Sequence, residues 1–581
     1  MSFKRKDCLL VGGAIVAIVA LTLVGCSTQD TGMPEGKLPT TWANPTTVYF
    51  NGEIVTVDDD QPSAEAIAVR DGRILAVGSR ADVDKAAGKS IIMRDLLGGT
   101  MLPGLIDAHG HISMTNKMQA SANVSSPPVG SAESIDDIVA LLKAHRLKYP
   151  GAPWLTGWGY DESLLQEQRH PTREDLDRVS NEVPIMLVHV SGHFMTCNSA
   201  CLALAGITAD SEDPKGGIIR RLPHSREPDG VLEEQAMAEL RLVTPALDDA
   251  AALSLLDSTQ QYYASQGITT VQDGAAIGDD IRLMKLAGEQ GLLYLDVVTF
   301  PYAPYMWKEI DQYPPSSTYD NHVRIGGFKL VLDGSPQGKT AWLTKPYLHP
   351  PHGQSEGYAG YATLEDDKVG EYIEYAFAND IPVLAHANGD AASDQLINAV
   401  SAANVKLGKA DRRTVMIHAQ TVREDQIKQM VEEGINPSYF VVHTFYWGDW
   451  HRDSVFGAER ASRISPLRSS TELGLRYTIH NDTPIVPPDM MRLLWSSVNR
   501  VTRSGKVLGE SQSATVMEGI RAMTIDAAHQ YFEEGSKGSI KAGKRADLVI
   551  LDRNPLKVDA MSIKDISVLE TIKDGVTVFK K

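Results

Sequence analysis

Two histidines one residue apart, His109 and His111, end the apolar run Met101-Leu-Pro-Gly-Leu-Ile-Asp-Ala-His109-Gly-His111. Alternate residues of a strand share a face, so both imidazoles can turn toward one ion. Alone, the pair reads rather as two hydrogen-bonded histidines at a strand end, because two ligands do not make a metal site. Distant residues must supply the rest. Val323 to Gly334 carries Lys329 inside a strand pattern and Asp333 near its end, and Ile381 to His386 runs into Ala387-Asn388-Gly389-Asp390. Arg413 to His418 runs into Ala419-Gln420, Tyr439 to His443 into Thr444, and Leu475 to His480 into Asn481-Asp482-Thr483-Pro484. Imidazole and carboxylate ligands suit Zn, Mn, Fe or Ni, and the lack of a thiolate argues against a structural zinc site. Such an ion would acidify a water and polarise a carbonyl, which is hydrolytic chemistry. Asp482 then has a second job as general base and, later, general acid toward a leaving amine. His443 and His480 fit the series less well; His480 reads as a neighbour of the ligands or as core.

These groups need a scaffold that brings strand ends together. Helix-like segments such as Asp366 to Asn379 and Arg423 to Gly434 separate the runs, and strand, polar residue, helix is the repeat of a parallel barrel with its site at the strand C-termini. Gly267 to Asp273 and Leu293 to Thr299 fill the second and third places, giving eight strands. The fold expected is α/β, a (β/α)8 TIM-like barrel over residues 101–537 with a large insertion at about 113–266. That insertion is longer than a barrel loop. Residues 48–100 and 538–581 alternate apolar and polar residues between turns such as Asn51-Gly52 and Asp71-Gly72, as small antiparallel strands do.

The order HxH, strand-borne lysine, His, His, Asp resembles the metal-dependent amidohydrolase superfamily. The wording GFKLVLDGS, LAHANGD, MIHAQ and HNDTP is similar to amidohydrolase family 3, the branch that includes N-substituted formamide deformylases, and the match runs from about Val48 to the C-terminus. The resemblance implies that His109, His111 and Asp482 hold one divalent metal and His386 and His418 a second. Lys329, carboxylated by carbon dioxide, would bridge them. It also implies a β-sandwich formed by both ends of the mature chain, and a substrate contact from His193. A free ammonium beside two dications is repelled, so Lys329 must there be neutral or converted to an anion. The expected activity is hydrolysis of a C–N bond in an amide, formamide, carbamate or cyclic amide by a metal-bridging hydroxide. Ester cleavage, hydration or isomerisation on the same scaffold is a rival, because fold does not fix substrate. A ligand-binding lipoprotein without catalysis is another.

The first residues speak to location. Lys4-Arg5-Lys6 precede an apolar stretch from Leu9 to Val24, followed by Leu23-Val24-Gly25-Cys26-Ser27. This pattern reads as a secretory signal, residues 1–25, ending in a site that resembles a bacterial lipobox, with an uncleaved anchor as the alternative. Cys26 would carry the lipid, residues 26–47 would be a flexible tether, and the enzyme would face the periplasm, with Ser27 favouring the outer membrane. The lipid would be its membrane contact.

The formal net charge of −18 disfavours nucleic acid as a partner, and 43% hydrophobic residues supply ample core. No GxxxxGK[ST] phosphate loop occurs. Cys197 and Cys201, four apart, read as stacked neighbours on a helix and so as two buried thiols. Aromatic residues in loops (Trp158 with Asp161 in the insertion, and Trp342, Tyr347, Tyr358, Phe445, Tyr446, Trp447 and Trp450 later) either roof a pocket for a bulky or aromatic small-molecule substrate or pack the insertion down. Trp158, Asp161, His193 and His443 are the substrate-binding candidates. His349, His352 and His451 read as surface or lid residues. Oligomeric state is open, a homodimer included.

Overall fold

The computed structural model describes residues 45–581 apart from Ala246 and His352. The signal segment, Cys26, nearly all of the tether, and His352 lie outside the described residues. The fold is mixed α/β. Among the described residues no helix is long and apolar enough to cross a membrane.

Both ends of the described chain meet in one eight-stranded sheet. Thr100–Pro103 runs antiparallel to Leu548–Leu551, with Thr100 opposite Leu551, and parallel to Thr46–Val55, with Thr100 opposite Glu53. Its inner side is apolar, with Tyr49, Ile67, Met101, Leu548 and Ile572 buried together. The run Met101 to His111 is therefore divided. Its first residues belong to this sheet, and after Gly104 the short strand Leu105–Ile106 pairs with Ile268–Ala276.

Two parallel sheets follow. One orders Val323–Ile325, Asp296–Pro301, Ile268–Ala276 and Leu105–Ile106; the other orders Phe328–Val331, Val383–Ala387, Thr414–His418, Ile435–Tyr439 and Thr478–Ile479. Strands such as Val383–Ala387 and Thr414–His418 are buried throughout, as parallel strands covered on both faces must be. The fourth expected strand is broken at Gly326-Gly327. Gly327 sits at φ 153°, and a Cβ there would lie 2.0 Å from Pro382 O, so only glycine lets the chain step from one sheet to the next. Isolated parallel bridges, Gly110 to Thr483 and Tyr302 to Lys329, join the sheets at their margins.

The helices cover these sheets by an apolar stripe. In Asp366–Ala378 the buried residues are Val369, Tyr372, Ile373, Ala376 and Phe377, the i, i+3, i+4 spacing of one face, and Asp366 and Asp367 sit in the first turn where the helix dipole favours them. Burying Ile373 or Phe377 contributes about 1.5–3 kcal/mol each. The helix Glu424–Glu433 ends at Gly434 in a left-handed cap.

Residues 122–234 hold a separate six-stranded sheet, ordered Gly217–Arg221, Pro228–Glu234, Phe194–Cys197, Ile185–His189, Leu155–Tyr160 and Ala122–Asn123. Here the cysteine reading is corrected. Cys197 ends a strand and Cys201 lies in the helix Ser199–Leu204, whose N-cap is Asn198, so the two are not stacked on one helix. Their Cα atoms are 5.4 Å apart and the pair forms a disulfide.

Candidate metal centre

The residues at the C-terminal ends of the parallel strands turn inward together. Lys329 lies in Phe328–Val331, His386 in Val383–Ala387, and His418 ends Thr414–His418. His109 follows Leu105–Ile106, His111 caps the helix Ile112–Met118, and Asp482 follows Thr478–Ile479. Asp482 Oδ1 stands 3.1 Å from His111 Nε2 and 3.3 Å from His109 Nε2, while Oδ2 is 3.8 Å from His418 Nε2. Lys329 Nζ is 3.2 Å from His109 Nε2, and the rings of His386 and His418 are 4.5 Å apart. His418, Ala419 and Asp482 have φ of 72°, 45° and 56°. Non-glycine residues hold that conformation at a cost, and such strain collects at working sites.

Each imidazole is tethered by Nδ1. His109 meets the Gln272 carboxamide oxygen, His111 meets Gly274 O at 2.6 Å, and His386 meets Asp333 Oδ1 at 3.0 Å. Gln272 is itself fixed, its amide nitrogen donating to Ala108 O and Tyr531 Oη. Carbonyl and carboxylate oxygens only accept, so these three Nδ1 atoms carry the proton and Nε2 keeps its lone pair. The fourth, His418, bonds through Nδ1 to His480 Nε2 at 3.2 Å, and His480 Nδ1 meets Ser438 Oγ at 2.9 Å. Partners of this kind fix ring orientation and tautomer for a metal ligand.

Burial pushes the imidazoles of His109, His386, His418 and His480 well below their ordinary range, helped by neighbouring Lys329, so the rings are neutral. Burial also lowers the Lys329 amine to about 7, against the opposing pull of Asp482. Asp333 is pushed up to about 7 by burial, although three backbone N–H groups donate to it.

Asp482 Oδ1 is buried and has no hydrogen-bond partner, and with His109 and His111 it forms a group whose ligand atoms lie within 4.8 Å of one another. A buried carboxylate oxygen left unpaired is costly, and two Nε2 lone pairs beside it repel rather than help. A cation satisfies all three.

Of the substrate-binding candidates, His193 stands beside the cluster, its ring 5.0 Å from that of His386. Trp158 is buried in the core, and Asp161 is tied to Trp447 Nε1 at 2.7 Å. His443 begins the helix His443–Trp450 rather than ending a strand, which stops at Tyr439, and Phe440 stands between it and His480. His451 is no surface or lid residue: it is fully buried, with Nε2 2.9 Å from His443 Nδ1. His349 is exposed. Tyr347, Tyr446 and Trp447 are buried, whereas Trp342, Tyr358, Phe445 and Trp450 are half-buried. Sequence reasoning missed Gln272, Ser438 and the orienting role of Asp333, whose one signal is its place four residues after Lys329.

A family model described as "Amidohydrolase family" matches residues 93–579. An N-substituted formamide deformylase of Arthrobacter pascens is 28% identical over 92% of this chain and 98% of its own. The putative amidohydrolase YtcJ of Bacillus subtilis (strain 168) is 26% identical over 92% and 99%. Among solved structures, an uncharacterized metal-dependent hydrolase from Pyrococcus horikoshii OT3 superposes with a TM-score of 0.70 at 21% identity, covering 89% of this chain and 99% of that one. One from Pyrococcus furiosus gives 0.68 at 24%, covering 88% and 100%. These two likenesses speak for the fold. With a match that spans most of its length, the chain belongs to the amidohydrolase family.

Proposed function

We propose that the chain is a metal-dependent hydrolase of C–N bonds, acting on an amide, formamide, carbamate or cyclic amide. The observation that carries this reading is the orphaned Asp482 Oδ1 between two imidazole Nε2 atoms, in a cluster with four tethered histidines. The similarity to a formamide deformylase supports the bond type. In this reading the two parallel sheets close into the expected (β/α)8 barrel, the bridges at Gly110 and Lys329 being the seams. His109, His111 and Asp482 hold one divalent cation, His386 and His418 a second, Zn first among Zn, Mn, Fe and Ni. Bound there, the cations supply Lewis acidity toward the substrate carbonyl and acidify the attacking water.

The chain's own residues do the rest. Asp482 accepts the proton that the attacking water loses and returns it to the leaving nitrogen. Lys329, whose amine is readily neutral, would add to the carbon of carbon dioxide and release one proton, and the anionic carbamate so formed could supply oxygen ligands. The tethered Nδ1 atoms keep the imidazoles aligned through turnover. Cys26 anchors the protein on the periplasmic side of a bacterial envelope membrane, the outer membrane favoured; fatty-acid labelling lost in Cys26→Ser tests that separately.

The decisive experiment is metal analysis followed by a hydrolysis screen of N-acyl and N-formyl amines, with Asp482→Asn as control. Two equivalents of metal, turnover of at least one amide, and loss of turnover in the control are expected. A metal-free protein, or Asp482→Asn with full activity, refutes the reading.

A further inference from the structure

Asn388 stands two residues beyond His386, in the turn between the strand Val383–Ala387 and the helix Asp390–Leu407. Its backbone is fixed at both ends: the N–H donates to Asp333 Oδ1 at 3.0 Å, and the carbonyl accepts from Thr421 N at 3.0 Å and Thr421 Oγ1 at 2.8 Å. The buried side chain is fixed too, Nδ2 donating to Gly334 O at 3.0 Å. A carbonyl oxygen only accepts, so the nitrogen of the carboxamide, and not its oxygen, must face Gly334. The same nitrogen lies 3.2 Å from His386 Nε2, and Oδ1 is buried with no partner. Packing does not account for such a group, because a leucine of similar shape would fill the space without stranding a polar atom.

An amide nitrogen carries two hydrogens. Gly334 O holds one, and among the described residues the other faces His386 Nε2 alone. That is the atom the cation takes in the reading above, and one lone pair cannot serve both. With the site filled, a buried N–H stands fixed beside it without an acceptor, which is costly unless something that enters the site supplies one. A substrate brings an oxygen, that of its carbonyl. When the attacking water oxygen bonds to the carbonyl carbon, the C=O π pair moves onto the carbonyl oxygen, so the acceptor gains charge as the barrier is climbed. A donor already in place then strengthens its hold at no cost of reorganisation. A carboxamide does not titrate, so the role is independent of working pH.

We propose that Asn388 is a further catalytic residue, whose Nδ2–H donates to the carbonyl oxygen of the substrate as that oxygen becomes an oxyanion. This rests on the amide-hydrolase reading above. The tether to Gly334, the residue after Asp333, is then explained: by occupying one hydrogen of the amide it aims the other.

The test compares the metal-loaded wild type with Asn388→Leu or, should that variant fail to fold, Asn388→Ala; metal content and melting temperature near those of wild type show folding. On N-(4-nitrophenyl)formamide, kcat is expected to fall about 10²–10³-fold with KM unmoved, the effect of removing one oxyanion donor. Methylphosphonate, whose oxygens surround a tetrahedral centre as those of the reacting carbon do, gives a readout without turnover. Calorimetry is expected to show it bound at least about tenfold more weakly by the variant, the scale of one hydrogen bond to a charged group. Chelator competition is expected to find the second metal equivalent held at least as tightly as in wild type, since the variant loses a donor that competes for His386 Nε2. A second equivalent weakened about 10–100-fold, as when a ligand loses its supporting partner, assigns Asn388 to the metal site alone and overturns the proposal. An unchanged kcat overturns it too, as does methylphosphonate bound equally by both proteins or by neither. If wild type cleaves no amide, the hydrolase reading falls, and methylphosphonate binding judges the donor by itself.

Discussion

His418 and His480 are joined Nδ1 to Nε2 across 3.2 Å, so one candidate ligand is oriented by another histidine rather than by an oxygen. His480 is held from both sides, by Ser438 Oγ at 2.9 Å and by the Phe440 ring stacked at 5.3 Å. Substituting His480→Phe keeps the ring and removes the acceptor. Loss of such a partner is expected to weaken metal binding about 10–100-fold. Competition with a chelator measures it; an unshifted curve would show that His480 is packing alone.

Lys329 gives the metal-free protein a specific pH dependence. Its amine is lowered to about 7 by burial, against about 10.4 in an unfolded chain. Between those values the unfolded state binds the extra proton, so stability rises with pH from about 7 to about 10 and this contribution is flat below. The slope is about 1.4 kcal/mol per pH unit at most. Urea midpoints of the metal-free chain at three pH values in that window are expected to climb, and to climb less in Lys329→Met. Parallel curves for the two proteins would count against the buried neutral amine.

The clustering of the candidate ligands was legible because each of them, Lys329 apart, ends or follows an apolar run, and those runs hold buried strands: His386 and His418 follow stretches with no exposed residue. What tethers them was not, since Gln272 reaches His109 across 163 positions and nothing local marks the pair. The break at Gly326-Gly327 was read through as one strand because the apolar pattern continues on both sides. Cys197 and Cys201 were misread because i, i+4 spacing presumes a continuous helix, whereas the helix begins only at Ser199.

Asp161 and Trp447 connect the six-stranded sheet to the helix His443–Trp450 by one 2.7 Å bond, across 286 residues. Burial pushes the Asp161 carboxyl up, and Glu162 beside it adds to the shift. Replacing Trp447→Phe keeps most of the ring and leaves a buried acceptor unpaired, at an expected cost of about 1–3 kcal/mol. Adding Asp161→Leu removes the stranded acceptor and is expected to recover part of the loss. Urea unfolding of the metal-loaded variants reads both; equal losses in the single and double variants would mean that the lost packing of Trp447, not the unpaired carboxylate, sets the cost.

Asp296 lies between two buried ammonium groups, Lys537 at 2.7 Å and Lys573 at 3.0 Å, where the eight-stranded sheet meets the parallel one. Lys573 also reaches Asp547 at 3.1 Å. Burial alone would raise the Asp296 carboxyl, but the two lysines hold it well below the usual range. A lowered carboxylate stabilises the fold above its unfolded value of about 3.9 and loses that contribution as pH falls through the folded value. Lys573→Met removes one cation from two buried carboxylates, and breaking a buried pair in this way costs about 3–5 kcal/mol. Arg80→Ala breaks the exposed pair with Asp84 and is expected to cost about 0–1 kcal/mol. Because urea carries no charge, urea titrations of both variants at pH 7 compare the pairs without screening them. Equal costs would show that Lys573 is dispensable to the join, and that apolar packing alone holds the two sheets together.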